Sequence, residues 1–164
     1  MPLSVLMTKA EIMDWVPGSH ASTFGGNPVS IAAALATIDV LEGNAIVNSA
    51  KIGDHIMRRI SAWPQKYELV GDVRGRGLMI GIDLVKDKQT KAHAGPERDR
   101  VVDLAFERGV LFLGAGASAV RLCPPLVVTK EQADVALDVL EECIGIVDKE
   151  CFSAKSKAAE PTGA

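Results

Sequence analysis

Aromatic side chains are scarce in this sequence and positive charge is not clustered, and together these features exclude nucleic-acid binding. Only 4% of the 164 residues are aromatic, and the net charge is −3. Single-stranded nucleic acids need aromatic stacking surfaces beside a cationic groove, and duplexes need a basic surface. We therefore expect no nucleic-acid partner.

Cysteine is equally sparse. Cys123, Cys143 and Cys151 form no CxxC pair and leave an odd number. Disulfide frameworks and zinc sites use even sets or closely spaced pairs, and the three histidines also lack metal-ligand spacing. We predict no disulfide and no metal site, interpret the cysteines as small buried apolar residues, and expect a reducing cytoplasmic environment.

Long apolar runs are absent as well. No uninterrupted run of 18 apolar residues occurs, so we expect no membrane span and no membrane partner. The first residues carry no basic region, and Lys9, Glu11 and Asp14 follow soon after. This pattern is not that of a signal peptide.

Turn and cap signals divide the chain into alternating strands and helices, which predicts an α/β fold. Residues 65–148 are expected to form a layer of helices on a small sheet, whereas the first half offers one large apolar helix and a lone strand. The predicted elements are a strand at 2–8, a helical turn at 9–15, a loop at 16–27, helices at 28–42 and 45–62, one or two strands within 69–85, a helix at 96–108, strands at 110–114 and 119–122, and a helix from 129 to about 148.

The helices differ in their apolar patterns. The helix that follows Asn27, a natural N-cap, is apolar nearly all round, which predicts burial on several sides, and Gly43 and Asn44 interrupt it. The next helix places Ile46, Ala50, Met57 and Ile60 near one face. The last helix begins with a capping box, Thr129 to Gln132, and its apolar stripe is Ala133, Ala136, Leu137, Leu140, Cys143, Ile144 and Val147.

Two glycine-rich segments have glycine spacings similar to those of ligand-binding loops, but their sequence context differs. GAGASA at 114–119 fits G-x-G-x-x-A, but a dinucleotide site needs a helix directly after the glycines, and Pro124-Pro125 leaves no room for one. We predict a tight hairpin turn there. In GRGLMIG, 75–81, the glycines are expected to allow close approach of a backbone or ligand, or to form a bulge.

HASTFGGNP, 20–28, offers an anion site. Ser22 and Thr23 supply hydroxyls, Gly25 and Gly26 free the backbone, and a helix begins after Asn27. These groups together suit a phosphate. The alternative interpretation is an ordinary loop that ends in an N-cap.

Arg121 lies in an apolar strand, between Val120 and Leu122. A guanidinium in such a place binds a carboxylate through two parallel hydrogen bonds. The carboxylate belongs either to a ligand or to the protein, and a solvent-facing strand position remains a further alternative. Lys9 has no neighbours that would lower its pKa and is not a convincing nucleophile.

Three segments in register resemble the class III pyridoxal-phosphate-dependent aminotransferases, which include the 4-aminobutyrate, acetylornithine and ornithine aminotransferases. They are HASTFGGNPVSIAAALATIDVLE, VRGRGLMIGIDLV and VRLCPPLVVTKEQADVALDVLEE, and the similarity covers about residues 1–148. The 4-aminobutyrate branch is the most similar. The resemblance implies a C-terminal piece of the large domain with connecting helices at 1–62, a small domain at 63–150, and a disordered tail at 151–164.

The resemblance also implies roles for individual residues. Thr23, helped by Ser22, would bind the phosphate of pyridoxal phosphate across a dimer interface, and Arg121 would bind the substrate carboxylate. The Schiff-base lysine of the family lies before the segment that matches the first residues here, so we expect this chain to hold no catalytic lysine and to be inactive alone. A homodimer or larger homo-oligomer is implied, with amino acid and 2-oxo acid substrates.

Two further functions remain open. The chain is a candidate non-catalytic interaction module that docks on a full-length or split partner subunit through its apolar helix 28–42. Amino acid racemisation is the other candidate, because one scaffold supports several pyridoxal phosphate reactions.

Overall fold

The computed structural model describes residues 2–158, with side chains described through residue 152. The chain forms two compact units, Met1–Ile46 and Val47–Ala164. The helix that ends at Ile60 buries its apolar stripe, Ile52, Ile56 and Ile60, in the core of the second unit. The family boundary between residues 62 and 63 that the resemblance implies stays a prediction.

The first unit consists of extended chain, turns and one helix. Residues 2–8 contain no strand, so the predicted strand is wrong for this structure. A strand persists only when a neighbour fills its hydrogen bonds, and no described residue pairs with this segment. The helical turn predicted at 9–15 is present, since the Met13 amide donates to the Lys9 carbonyl at 3.2 Å.

Helix α1, Pro28–Val40, begins as predicted at Pro28, after the Asn27 cap. The interruption at Gly43 and Asn44 is a π-helical turn, Leu41–Ala45, that leads directly into helix α2, Ile46–Ile60. A π turn inserts one extra residue without ending the helix. The chain therefore remains helical where a break was expected.

Helix α1 is exposed, whereas its sequence predicted burial on several sides. Ser30 is its only buried residue. Leu35 is 60% exposed. The helical stretch Pro28–Lys66 has a mean hydropathy of 1.5 over one 18-residue window, so by length and composition alone it would suffice to cross a membrane. The expectation of no such segment does not hold by this measure, although core helices of soluble proteins also pass it.

The second unit is built on a four-stranded antiparallel sheet in the order β1-β2-β4-β3. After the short helix α3, Trp63–Lys66, the chain forms β1, β2, helix α4, then β3 and β4. The segment 69–85 thus holds two strands, and GAGASA is the hairpin turn predicted, with Gly116 at φ +55°. The strands are β1 Val70–Arg76, β2 Met79–Leu84, β3 Leu113–Ala115 and β4 Ala119–Leu122.

Glycines allow the close contacts of the β1–β2 hairpin, as the sequence suggested. Gly77 has φ +55° at the first turn position, which suits a II′ turn. Helix α2 packs directly on this turn, because a Cβ on Gly53 would lie 2.2 Å from the Gly77 carbonyl oxygen. The register of β1 also shifts between Val70 and Asp72, which is an irregularity outside the segment 75–81 for which a bulge was one alternative.

One face of the sheet is covered by helices. Helix α4, Gly95–Glu107, is followed closely by Gly109, which has φ +80°. Helix α5, Lys130–Ala158, carries the predicted stripe into the core. The capping box is confirmed by hydrogen bonds in both directions between Thr129 and Gln132, at 3.0 and 3.2 Å. Helix α2 contributes Ile60 as predicted, but Ile46 and Ala50 are exposed.

A hydrogen bond and ion pairs hold α2 against α5. His55 Nε2 lies 2.7 Å from Asp134 Oδ1, and Arg59 Nη1 lies 2.9 Å from the same oxygen. The hydrogen bond with His55 is the main cause that holds the pKa of Asp134 below its ordinary value, and Arg59 acts in the same direction against desolvation. Arg59 also pairs with Asp138.

Helix α5 continues to Ala158, beyond the predicted end near 148. The segment 151–158, expected to be part of a tail, has helical backbone, because it contains neither proline nor glycine. Residues 159–164 of that predicted tail lie outside the described residues.

We predict that Gly53→Ala destabilises the second unit. The added methyl group would overlap the Gly77 backbone, and overpacking of this kind costs about 1–3 kcal/mol. The matched control is Gly145→Ala in α5, whose methyl group would meet Tyr67 at an ordinary 3.6 Å and would gain helix propensity. Denaturant unfolding followed by the fluorescence of buried Trp63 measures both, and equal midpoints for the two variants would contradict the close contact.

Candidate functional site

The turn that leads into α1 is built by local hydrogen bonds. The Gly25 amide donates to the Ser22 carbonyl at 3.1 Å, and Gly26 has φ +72°. The Asn27 side chain accepts from the amides of Val29 and Ser30 at 3.0 and 3.1 Å. The helix therefore starts where the sequence predicted, and its own cap occupies two of its free amides.

Ser22 and Thr23 are adjacent and exposed in this turn, and neither hydroxyl has a hydrogen-bond partner among residues 2–158. No acidic residue occurs between Asp14 and Asp39, so no carboxylate of this segment opposes an anion. Because Asn27 caps the helix, an anion here would bind the two hydroxyls rather than the first helical amides. A phosphate fits these donors.

Arg121 lies on the face of the sheet that the helices leave open. Its strand neighbours, Val120 and Leu122, are buried under the helices, and alternation along the strand places Arg121 on the other side. In register with it are Gly81 on β2 and Leu113 on β3, and Arg74 on β1 lies opposite Gly81. These four positions form one row across the open face, which we call the Arg121 row.

The guanidinium of Arg121 has no ion-pair or hydrogen-bond partner among the described residues, which excludes the alternative of an internal carboxylate within them. Arg74 in the same row is paired with Asp72 at 2.8 Å. Arg121 also borders a pocket of about 310 Å³ whose other walls are mostly apolar, from α2, α5 and the Pro124-Pro125 segment. The arrangement offers one free bidentate donor beside apolar surface.

The structure corrects the interpretation of one cysteine. Cys143 is buried as expected, and burial raises the pKa of its thiol. Cys123 is exposed, because it lies two residues after Arg121 and shares the open side of the chain. The alternation of outward-facing and buried side chains along Val120-Arg121-Leu122-Cys123 would have predicted that Cys123 is exposed.

Sequence reasoning also missed a polar cluster at the end of β2. Ser118 is buried and donates to Asp83 at 2.9 Å, and its hydroxyl lies 3.1 Å from His93 Nδ1. The serine sits between the other two side chains and is closed to solvent, so this is not a nucleophilic triad. The hydrogen bonds of Ser118 link the loop before α4 to the sheet.

The described lysines do not form a nucleophilic site. All of them except Lys88 are exposed, and Lys88 donates to the Pro64 carbonyl at 2.7 Å. Lys66 donates to Glu141 at 2.6 Å, which raises the pKa of the lysine. A Schiff-base lysine needs a lowered pKa from desolvation or a neighbouring cation, and none of these side chains is so placed.

Comparison with known proteins identifies one family. The family model described as "Aminotransferase class-III" matches residues 1–144. The leucine/methionine racemase of Thermococcus litoralis is 44% identical over 151 residues, which are 91% of this chain and 34% of that protein. The acetylornithine aminotransferase of Methanothermobacter thermautotrophicus is 40% identical over 142 residues, 86% of this chain and 34% of that protein.

A solved structure shows the same fold. An amine transaminase from an uncultivated Pseudomonas species, in its pyridoxal-phosphate-bound form, superposes with a TM-score of 0.75 at 35% identity. The match covers 80% of this chain and 30% of that one. The chain thus spans about a third of the length of the proteins it matches.

We predict that a thiol reagent labels Cys123 in the native protein and leaves Cys143 unmodified. The first thiol is exposed, whereas the second is buried and has a raised pKa. Native-state reaction with 5,5′-dithiobis(2-nitrobenzoate), followed by peptide mass mapping, measures both in a Cys151→Ser background. Loss of fast labelling in Cys123→Ser is the control, and fast labelling of Cys143 would contradict the core described above.

Proposed function

The chain belongs to the class III aminotransferase family, and from that premise we propose that it supplies the substrate-carboxylate and cofactor-phosphate contacts of a pyridoxal-phosphate-dependent aminotransferase. The substrates would be an amino acid and a 2-oxo acid. The observation that carries the proposal is Arg121, an unpaired guanidinium fixed on a rigid strand and open to a ligand.

Pyridoxal phosphate is the cofactor that the family and its cofactor-bound structural relative indicate. When bound, it supplies an electron sink for the carbon that carries the amino group. Thr23, with Ser22, would hold its phosphate through two hydroxyl donors in a segment free of carboxylates. This assignment stays a proposal, and it is supported by the free, adjacent hydroxyls.

Arg121 would orient the substrate by its carboxylate. Two parallel N–H donors fix the plane of the carboxylate, and a strand in mid-sheet holds the donor more precisely than a loop would. Both amino acids and 2-oxo acids carry this group, so one arginine serves both halves of an amino transfer. The same residue would also favour substrates over amines that have no carboxylate.

We propose that none of the lysines with described side chains forms the Schiff base. All of them except Lys88 are exposed, and Lys88 donates to the Pro64 carbonyl. The hydrogen bond of Lys66 with Glu141 raises the pKa of that lysine. Catalysis would then need a lysine outside these residues, and the chain by itself would not transfer amino groups. Assembly as a homodimer or larger oligomer is part of the same proposal, supported by exposed apolar side chains such as Phe24, at 82%.

Racemisation is the second candidate, favoured by the identity of 44% to a leucine/methionine racemase. The two reactions differ in their need for a second substrate. A racemase inverts one enantiomer of an amino acid alone, whereas an aminotransferase turns over only when a 2-oxo acid is also present. Chiral chromatography of the cofactor-loaded assembly of this chain with a lysine-bearing partner chain, first with L-leucine alone and then with 2-oxoglutarate added, separates them.

The amino donor is a finer part of the proposal. A 4-aminobutyrate-like donor is compatible with the carboxylate that Arg121 would hold. Acetylornithine and leucine carry a carboxylate as well. Competition among these three amino acids for the cofactor-loaded assembly of this chain with a lysine-bearing partner chain would rank them.

We predict that Arg121→Gln weakens binding of 2-oxoglutarate by at least about 10-fold, because hydrogen bonds between charged groups contribute about 1.5–3 kcal/mol. Titration monitored by the backbone amide signals of β2 and β4 in ¹H–¹⁵N NMR measures the affinity in every variant. The matched control is Arg74→Gln, which lies in the same row but is already paired with Asp72. Equal loss in both variants would indicate a general charge effect, and no loss in Arg121→Gln would contradict the assignment.

A further inference from the structure

Four glycines lie within the strands of the sheet, and one of them has no explanation inside the second unit. A Cβ on Gly71, Gly75 or Gly114 would come within 2.5–2.7 Å of a neighbouring atom, so a neighbour would have to shift at each of these positions. At Gly71 and Gly75 that neighbour is buried Val85 or backbone, and at Gly114 it is the guanidinium of Arg98. A Cβ on Gly81 would meet nothing within 4 Å. Gly81 is therefore free of the steric constraint that accounts for the other three.

The backbone does not require glycine at position 81 either. Gly81 is not among the glycines with positive φ, and it pairs regularly with Arg74 on one side and Arg121 on the other. Glycine inside a strand costs conformational entropy and contributes no packing. A side chain there would be tolerated and would stabilise the strand, so the reason for its absence lies in what approaches this position.

Gly81 lies directly beside the free guanidinium. In an antiparallel pair, opposite residues point to the same face, with Cβ atoms about 4.5–5.5 Å apart. Arg121 is opposite Gly81, and the cation on the other side, Arg74, is neutralised by Asp72. The bare backbone of Gly81 thus forms a gap in the Arg121 row, next to its one unpaired cation among the described residues.

We infer that Gly81 is a specificity-determining residue for the carboxylate ligand of Arg121. The inference rests on the proposed function of Arg121. It further identifies the space beside Arg121 in which the ligand would lie. The gap admits the planar carboxylate and the carbon that bears it, while Met79 and Leu113, exposed at 58% and 54%, offer apolar contacts around it. A side chain at 81 would fill this gap and would restrict access to the guanidinium.

The inference predicts opposite effects on binding and stability. Gly81→Ala and Gly81→Val should weaken 2-oxoglutarate binding progressively, the valine variant by at least about 10-fold. One added methylene group changes binding by about this factor or more in a closely fitted site. The same variants should unfold at equal or higher denaturant concentration, since valine favours strands and the added atoms meet open space. A glycine needed only for structure would show loss of stability instead.

The experiment combines the ¹⁵N NMR titration with denaturant unfolding of each variant. Ala115→Val is the matched control, because it adds bulk to the same face on the strand beyond Arg121, diagonal to it. It should bind 2-oxoglutarate within about 2-fold of the unmodified chain. A weakened Gly81→Val with retained stability supports the inference.

The outcomes separate this inference from the proposed function. If Arg121→Gln loses binding but Gly81→Val binds normally, the carboxylate site stands and the role of Gly81 is overturned. If Arg121→Gln binds normally, the proposed site itself fails, and the inference fails with it. A less stable Gly81→Val would also overturn the inference, because the position would then need glycine for packing.

Discussion

Burial of alternate residues of β2 and β4 beneath α4 and α5 is the constraint on which the second unit depends. The core contains four side chains from these two strands, Ile80, Ile82, Val120 and Leu122. The residues between them must therefore face outward. A shift of one residue in β4 would bury Arg121 and expose Val120 and Leu122. The same pairing that stabilises the fold therefore places a guanidinium on an open, rigid surface.

Much of the second unit was predictable because its signals are local. The capping box at Thr129, the stripe of α5 and the positive-φ turn glycines each specify structure within a few residues. The exposure of Cys123 was also encoded, in the alternation of its strand, but its common tendency to be buried outweighed that pattern in the sequence-based interpretation.

The first unit was less predictable, because its signals depend on partners. Residues 2–8 have strand composition, but a strand forms only beside another. Helix α1 has apolar residues on all sides and hence no periodicity that indicates a buried face. The turn at 22–28 was predicted correctly, since the Asn27 cap and Pro28 act locally. The pairing of His55 with Asp134 was not, because it joins helices distant in sequence.

The described residues offer contacts for a ligand but no group suited to covalent attachment of the cofactor. Free hydroxyls at 22–23 and the free guanidinium of Arg121 suit a phosphate and a carboxylate, while the described lysines suit no Schiff base. The direct test is to mix the purified chain with pyridoxal phosphate, reduce with borohydride and map any pyridoxyl-lysine by mass spectrometry. The account predicts no specific absorbance band and no single labelled lysine. Stable labelling of one lysine in this chain would contradict it.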